Sequence, residues 1–77
     1  MPKLPPVRPR QIIRFLERNG FTLDHTSGSH FIFYNPVSRR RAVVAQHNRD
    51  VPKGTLMSLL REAGFTREEL VNFLAGK

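Results

Sequence analysis

Cysteine is absent from all 77 residues. That excludes disulfide cross-links and thiolate metal sites, and it fits a reducing compartment. Acidic side chains are scarce: six Asp and Glu stand against thirteen Lys and Arg, a formal net charge of +7 with a pI of about 11.4. No apolar run approaches the roughly 18–20 residues of a membrane span. Met1 to Pro6 lacks the apolar core of a secretion signal, so the expected location is the cytoplasm and no membrane partner is expected. Repeats, low-complexity stretches and internal linkers are also missing. One domain over residues 1–77 is the expectation, with a core of modest size. No glycine-rich phosphate loop and no Ser/His/Asp set at a recognisable spacing is present.

What the chain does have is positive charge. Residues 1–50 carry nine basic and three acidic side chains, against four and three in residues 51–77. Most of the basic residues are Arg, whose planar fork suits bidentate contact with phosphate. A small domain of this charge calls for a polyanionic partner. Nucleic acid comes first, an acidic protein second and a membrane surface third. A merely solvated surface is the bland alternative.

The hydrophobic pattern then supplies the elements. Three prolines in residues 1–8 give an extended arm. Pro9 can open a helix in which Ile12, Ile13, Phe15 and Leu16 form an apolar face, closed by Asn19-Gly20. Phe21 to His25 alternates like a half-buried strand, Thr26 to Ser29 is turn chemistry, and His30 to Asn35 is a second strand. After a turn over Pro36 to Arg40, a third short strand runs from Arg41 to Ala45. Gln46 to Val51 is a polar loop and Pro52 opens a second helix, with Leu56, Leu59, Leu60 and Ala63 at helical spacing and Gly64 as its stop. Thr66 to Glu69 is a capping box for a short third helix.

The expected fold is therefore α+β: α-β-β-β-α with a three-stranded antiparallel sheet covered on one face by helices, plus a short C-terminal helix. Alternation along the second strand separates Phe31 and Phe33, expected under the helices, from His30, Ile32 and Tyr34, expected to point outward.

Three histidines are the remaining chemistry. His25, His30 and His47 match no standard zinc spacing, and no cysteine supports them, so neither a metal nor any other cofactor is expected. His30 reads in two ways. An imidazole can take a proton and give one back near neutral pH, and RNA carries its own nucleophile in the 2′-OH. Gly28 and Ser29 in the preceding turn can direct backbone N–H groups at an anion, and Arg39, Arg40 and Arg41 lie on the adjoining hairpin. Equally, a lone histidine at a strand end is a common surface residue.

Gly28-Ser29-His30-Phe31-Ile32-Phe33, then the His47 loop, then Val51-Pro52-Lys53-Gly54-Thr55-Leu56 and Leu59-Leu60-Arg61-Glu62-Ala63-Gly64 together resemble the HicA (YcfA-like) toxin family. Lys3-Leu4-Pro5 and a helix ending in Asn19-Gly20-Phe21 fit the same pattern. The resemblance implies a fold like a double-stranded-RNA-binding domain. It implies an mRNA interferase, an endoribonuclease toxin held in check by a HicB antitoxin. It implies His30 as the catalytic residue and makes His47 the counterpart of a loop histidine, either accessory to the chemistry or bonded within its loop. Gly28, Ser29, Tyr34, Arg39, Arg40, Arg41 and Lys53 are the expected RNA contacts, with Tyr34 available for base stacking. A small RNA-binding module without activity is the alternative. Lys53 stands nearly alone at the start of the second helix, which favours single-stranded over double-stranded RNA.

Overall fold

The computed structural model describes residues 4–46 and 49–76. Its order is α1 (Pro9–Arg18), β1 (Thr22–Ser27), β2 (His30–Asn35), β3 (Arg40–Ala45), α2 (Lys53–Ala63) and α3 (Arg67–Leu74). The three strands form one antiparallel sheet in the order β1-β2-β3. This is the α-β-β-β-α layout of double-stranded-RNA-binding domains, with an added C-terminal helix. His47 lies outside the described residues.

Local chemistry sets the ends of the helices. Pro9 occupies the first turn of α1, where its missing N–H costs little, and the Arg8 N–H donates to Gln11 Oε1 at 2.8 Å. At the other end Phe21 N–H donates to Leu16 O and Gly20 N–H to Glu17 O, a Schellman closure with Gly20 at φ +91°. Gly64, at φ +87°, ends α2 by the same pattern through Phe65 and Leu60. The capping box of α3 is formed in both directions: Glu69 N–H donates to Thr66 Oγ1 at 3.2 Å and Thr66 N–H to Glu69 Oε1 at 2.9 Å.

The helices lie on one face of the sheet. Ile12, Phe15 and Leu16 of α1, with Leu56, Leu59, Leu60 and Ala63 of α2, bury against Phe33, Ala42 and Val44. Phe31 packs at the margin of this core, so the expected split of the second strand holds. Edge-on rings join α1 to α3 and to the segment before it: Phe15 meets Phe65 at 4.8 Å and Phe73 at 5.3 Å between centroids. Such pairs contribute about 0.5–1.5 kcal/mol beyond area burial.

The structure differs from the sequence reading in two places. The first strand runs on to Ser27 and all six of its residues are exposed, so it is not half-buried. The helices pack over β3, leaving β1 at the far edge of the sheet. Leu23 is 50% exposed although it pairs with the buried Phe33. The proline-rich arm is also more than a tether. Val7 is buried, Leu4 packs against the core, and Val51 N–H donates to Val7 O at 2.7 Å. The arm thereby positions the segment that leads into α2.

Candidate functional site

The site is built on the face of the sheet that the helices leave open. Strand pairing decides its membership, because directly paired residues share a face. On β2 these residues are His30, Ile32 and Tyr34. Their partners on β3 are Ala45, Val43 and Arg41, and on β1 Ser27, His25 and Thr22. His30 is exposed, and Val43 is 44% exposed.

His30 sits on a well-held backbone. Gly28 and Ser29 form a two-residue hairpin between Ser27 and His30, with Gly28 at φ +59° in the first central position. That is the place where a type II′ turn needs positive φ and glycine supplies it. An added Cβ would meet nothing within 4 Å, so conformation rather than space selects this glycine. On the other side, Gln46 N–H donates to Ser29 O at 2.7 Å, extending the β2–β3 ladder one step past the His30–Ala45 pair. The histidine therefore emerges from a strand end bonded on both sides.

Beside it opens a cavity of about 270 Å³, lined by His30, Val43, Val44, Ala45, Val51, Pro52, Thr55 and Leu59. It lies between the end of β3 and the first turn of α2, with an apolar lining and the imidazole at its rim.

The cations that the sequence places near His30 divide into two groups. Arg39, Arg40 and Arg41 lie at the opposite end of the β2–β3 hairpin, because antiparallel pairing sets Asn35 against Arg40 and His30 against Ala45. Four residues of strand separate Tyr34 from His30, roughly 13 Å at the usual rise. Arg41 shares the open face and stands over the Tyr34 ring at 5.7 Å, a cation–π contact. Arg40 alternates to the covered side, where Nη1 donates to Glu62 O at 3.2 Å and satisfies a carbonyl at the C-terminal end of α2. Arg39, at φ +61°, is part of the turn itself. This turn is held by Asn35, whose Oδ1 accepts from Val37 and Ser38 N–H while its Nδ2 donates to Asn19 O.

Lys53 belongs to the other group. It opens α2, next to Pro52 of the His30 cavity, and lines a shallower groove of about 380 Å³ with Leu4, Gly54, Met57 and Arg67. Arg67 is a cation that sequence reasoning missed, because nothing local places the start of α3 beside the start of α2.

His25, read from the sequence as a strand residue, lies on a different face from the one its alternation gives. Regular alternation would put it on the side of Leu23. A β-bulge at Asp24 inserts one residue into β1, so Leu23 pairs with Phe33 but His25 pairs with Ile32 on the open face. Its Nδ1 stands 2.7 Å from Asp24 Oδ2. Among the described residues no group of three or more His, Cys, Asp or Glu side chains is placed to hold a metal ion, and no helix is long and apolar enough to cross a membrane.

No curated protein matches the chain. A family model does, over residues 9–65, and its description is HicA toxin of bacterial toxin-antitoxin systems. The match covers α1, the whole sheet and α2 with its cap, so the chain belongs to the HicA toxin family.

Proposed function

We propose that this HicA-family toxin is an endoribonuclease that cuts mRNA, with His30 as a proton-transfer group and a HicB-like protein as its antitoxin. The observation that carries the reading is the position of His30: exposed on the open face, anchored by the Gly28-Ser29 hairpin and at the rim of an apolar cavity.

The chemistry asks little of the protein. Each ribose presents a 2′-OH beside the phosphate it can attack, so the enzyme need only exchange protons and hold the chain in line. The imidazole of His30 serves the first need. A single-stranded segment lying along the open face would set a nucleotide into the cavity beside His30. Tyr34 offers a stacking surface further along, already braced by Arg41. Lys53 and Arg67 flank the other side of the α2 entrance and suit backbone phosphates. Gly28 and Ser29 bring the RNA backbone close to His30, Arg39 adds charge at the far turn, and Arg40 acts mainly by holding α2. His47 is the counterpart of the family's loop histidine, either accessory to the chemistry or bonded within its loop.

An antitoxin that covers this face with acidic side chains would block substrate and match the net charge of +7. Purified protein is expected to cut RNA in EDTA, and His30→Ala to keep its circular dichroism spectrum and thermal transition while losing cleavage. Cleavage that persists in the folded variant rejects His30. Induced expression separates the toxin from a simple RNA-binding module: the enzyme arrests growth until antitoxin is supplied, and the His30→Ala protein does not.

A further inference from the structure

The open face holds a second imidazole within reach of the first. His30 pairs directly with Ser27, and His25 pairs with Ile32, two residues along β2. His25 and His30 are therefore diagonal neighbours on one face, at about 7–8 Å between backbones. Rings of this length can both contact a single phosphodiester placed over the strands between them. The bulge at Asp24 creates this arrangement, and the same residue holds His25. Its carboxylate lies 2.7 Å from Nδ1, and both side chains are about half exposed. With Nδ1–H donated to the carboxylate, Nε2 is left as the nitrogen that exchanges protons.

We infer that His25 is the second proton-transfer group of the reaction, working with His30 across the β1–β2 pair, with Asp24 as its positioning residue. The inference rests on the ribonuclease reading above. One histidine removes the 2′-OH proton as that oxygen bonds to phosphorus. The P–O5′ bond breaks, and the other histidine gives its proton to the departing 5′-oxygen. The products are a 2′,3′-cyclic phosphate and a 5′-hydroxyl, and neither a metal nor an oxidant enters the balance. His30 stands between the cavity on its β3 side and His25 on its β1 side. The scissile phosphate then lies where the two imidazoles converge.

Among the described residues, few titratable or charged groups face His25. Asp24 comes from its own strand, and His30 and Tyr34 from β2. Arg41 on β3 stands at the far end over Tyr34, and the helices lie behind the sheet.

The experiment is a pH profile of kcat/KM on a short RNA for wild type, His25→Ala, His30→Ala and Asp24→Asn. It is repeated on the same RNA carrying a bridging sulfur in place of the 5′-oxygen, a leaving group that departs without a proton. Wild type is expected to give a bell-shaped profile. His25→Ala is expected to lose about 10²–10⁴ in rate with its fold intact and to lose one limb of the bell. Asp24→Asn moves that same limb and leaves the other in place. On the sulfur substrate one of the two histidine variants recovers cleavage and the other does not, which identifies acid and base. A folded His25→Ala protein with the wild-type rate and both limbs overturns the inference while leaving the ribonuclease reading standing. Equal behaviour of the two variants on the sulfur substrate also overturns it. A wild-type protein that cuts no RNA removes the reading and the inference together.

Discussion

The two faces of the sheet are made from the same strands, one residue apart, and they do opposite work. On the covered face Phe33, Ala42 and Val44 are at most 2% exposed and bind the sheet to α1 and α2. On the open face His25, His30, Val43 and Arg41 meet solvent, and Ile32 and Tyr34 are half-buried. Period-two geometry lets one strand carry a core face and a candidate site face without conflict. The packed face supplies the rigidity, and the open face stays free to meet a partner. Substitutions on the two faces should therefore separate stability from activity.

The largest effect is expected from Phe33→Ala, which leaves a cavity under the sheet and costs about 3–5 kcal/mol. For a domain whose whole stability is on the order of 5–15 kcal/mol, that should appear as a much lower denaturation midpoint. His30→Ala is comparable in size but opposite in kind. Cleavage falls by about 10²–10⁴, while urea denaturation stays within about 0.5 kcal/mol of wild type. A large loss of stability in His30→Ala would break the comparison, because it would make the open face structural.

Neighbours on one strand sharpen it further. Val44→Ala should cost about 2 kcal/mol by lost burial, whereas Val43→Ala, 44% exposed in the wild type, should stay within about 0.5 kcal/mol. Equal midpoints for the two variants would mean that the open face is covered in solution. Gly64→Ala tests the junction between the hairpin turn and α2. Its φ is +87° and a Cβ would approach Arg40 Nε at 2.8 Å, so a loss of about 1–2 kcal/mol is expected from the left-handed backbone alone. Thr66→Ala, which removes the cap of α3, is expected to cost about 1 kcal/mol by thermal denaturation.

Most of the fold was legible in the sequence, since its signals are local. Pro9 and Gly20 bracket α1, Pro52 and Gly64 bracket α2, and Thr66 with Glu69 announces α3. The alternation of His30, Ile32 and Tyr34 against Phe31 and Phe33 identifies both faces of β2. The site was legible in part. Residue physics left His30 open between chemistry and surface, and the resemblance to HicA toxins singled it out. How far the arginines of the β2–β3 turn lie from His30 was not legible, since closeness along a hairpin depends on register, and register sets Arg40 opposite Asn35.

By itself, then, the sequence determined which segments are helix and strand, which residues of the helices and of β2 enter the core, and which family the chain resembles. Each of these depends on neighbours a few positions away. Tertiary structure decided the rest. One inserted residue at Asp24 turned His25 onto the open face, and no periodicity announces a bulge whose partner strand lies elsewhere in the chain. The packing of α2 on β3 left β1 uncovered and opened the cavity beside His30. Docking of the arm through Val7 set the entry to α2, and the approach of α3 brought Arg67 beside Lys53. These are long-range pairings, and they depend on how separate elements settle against one another.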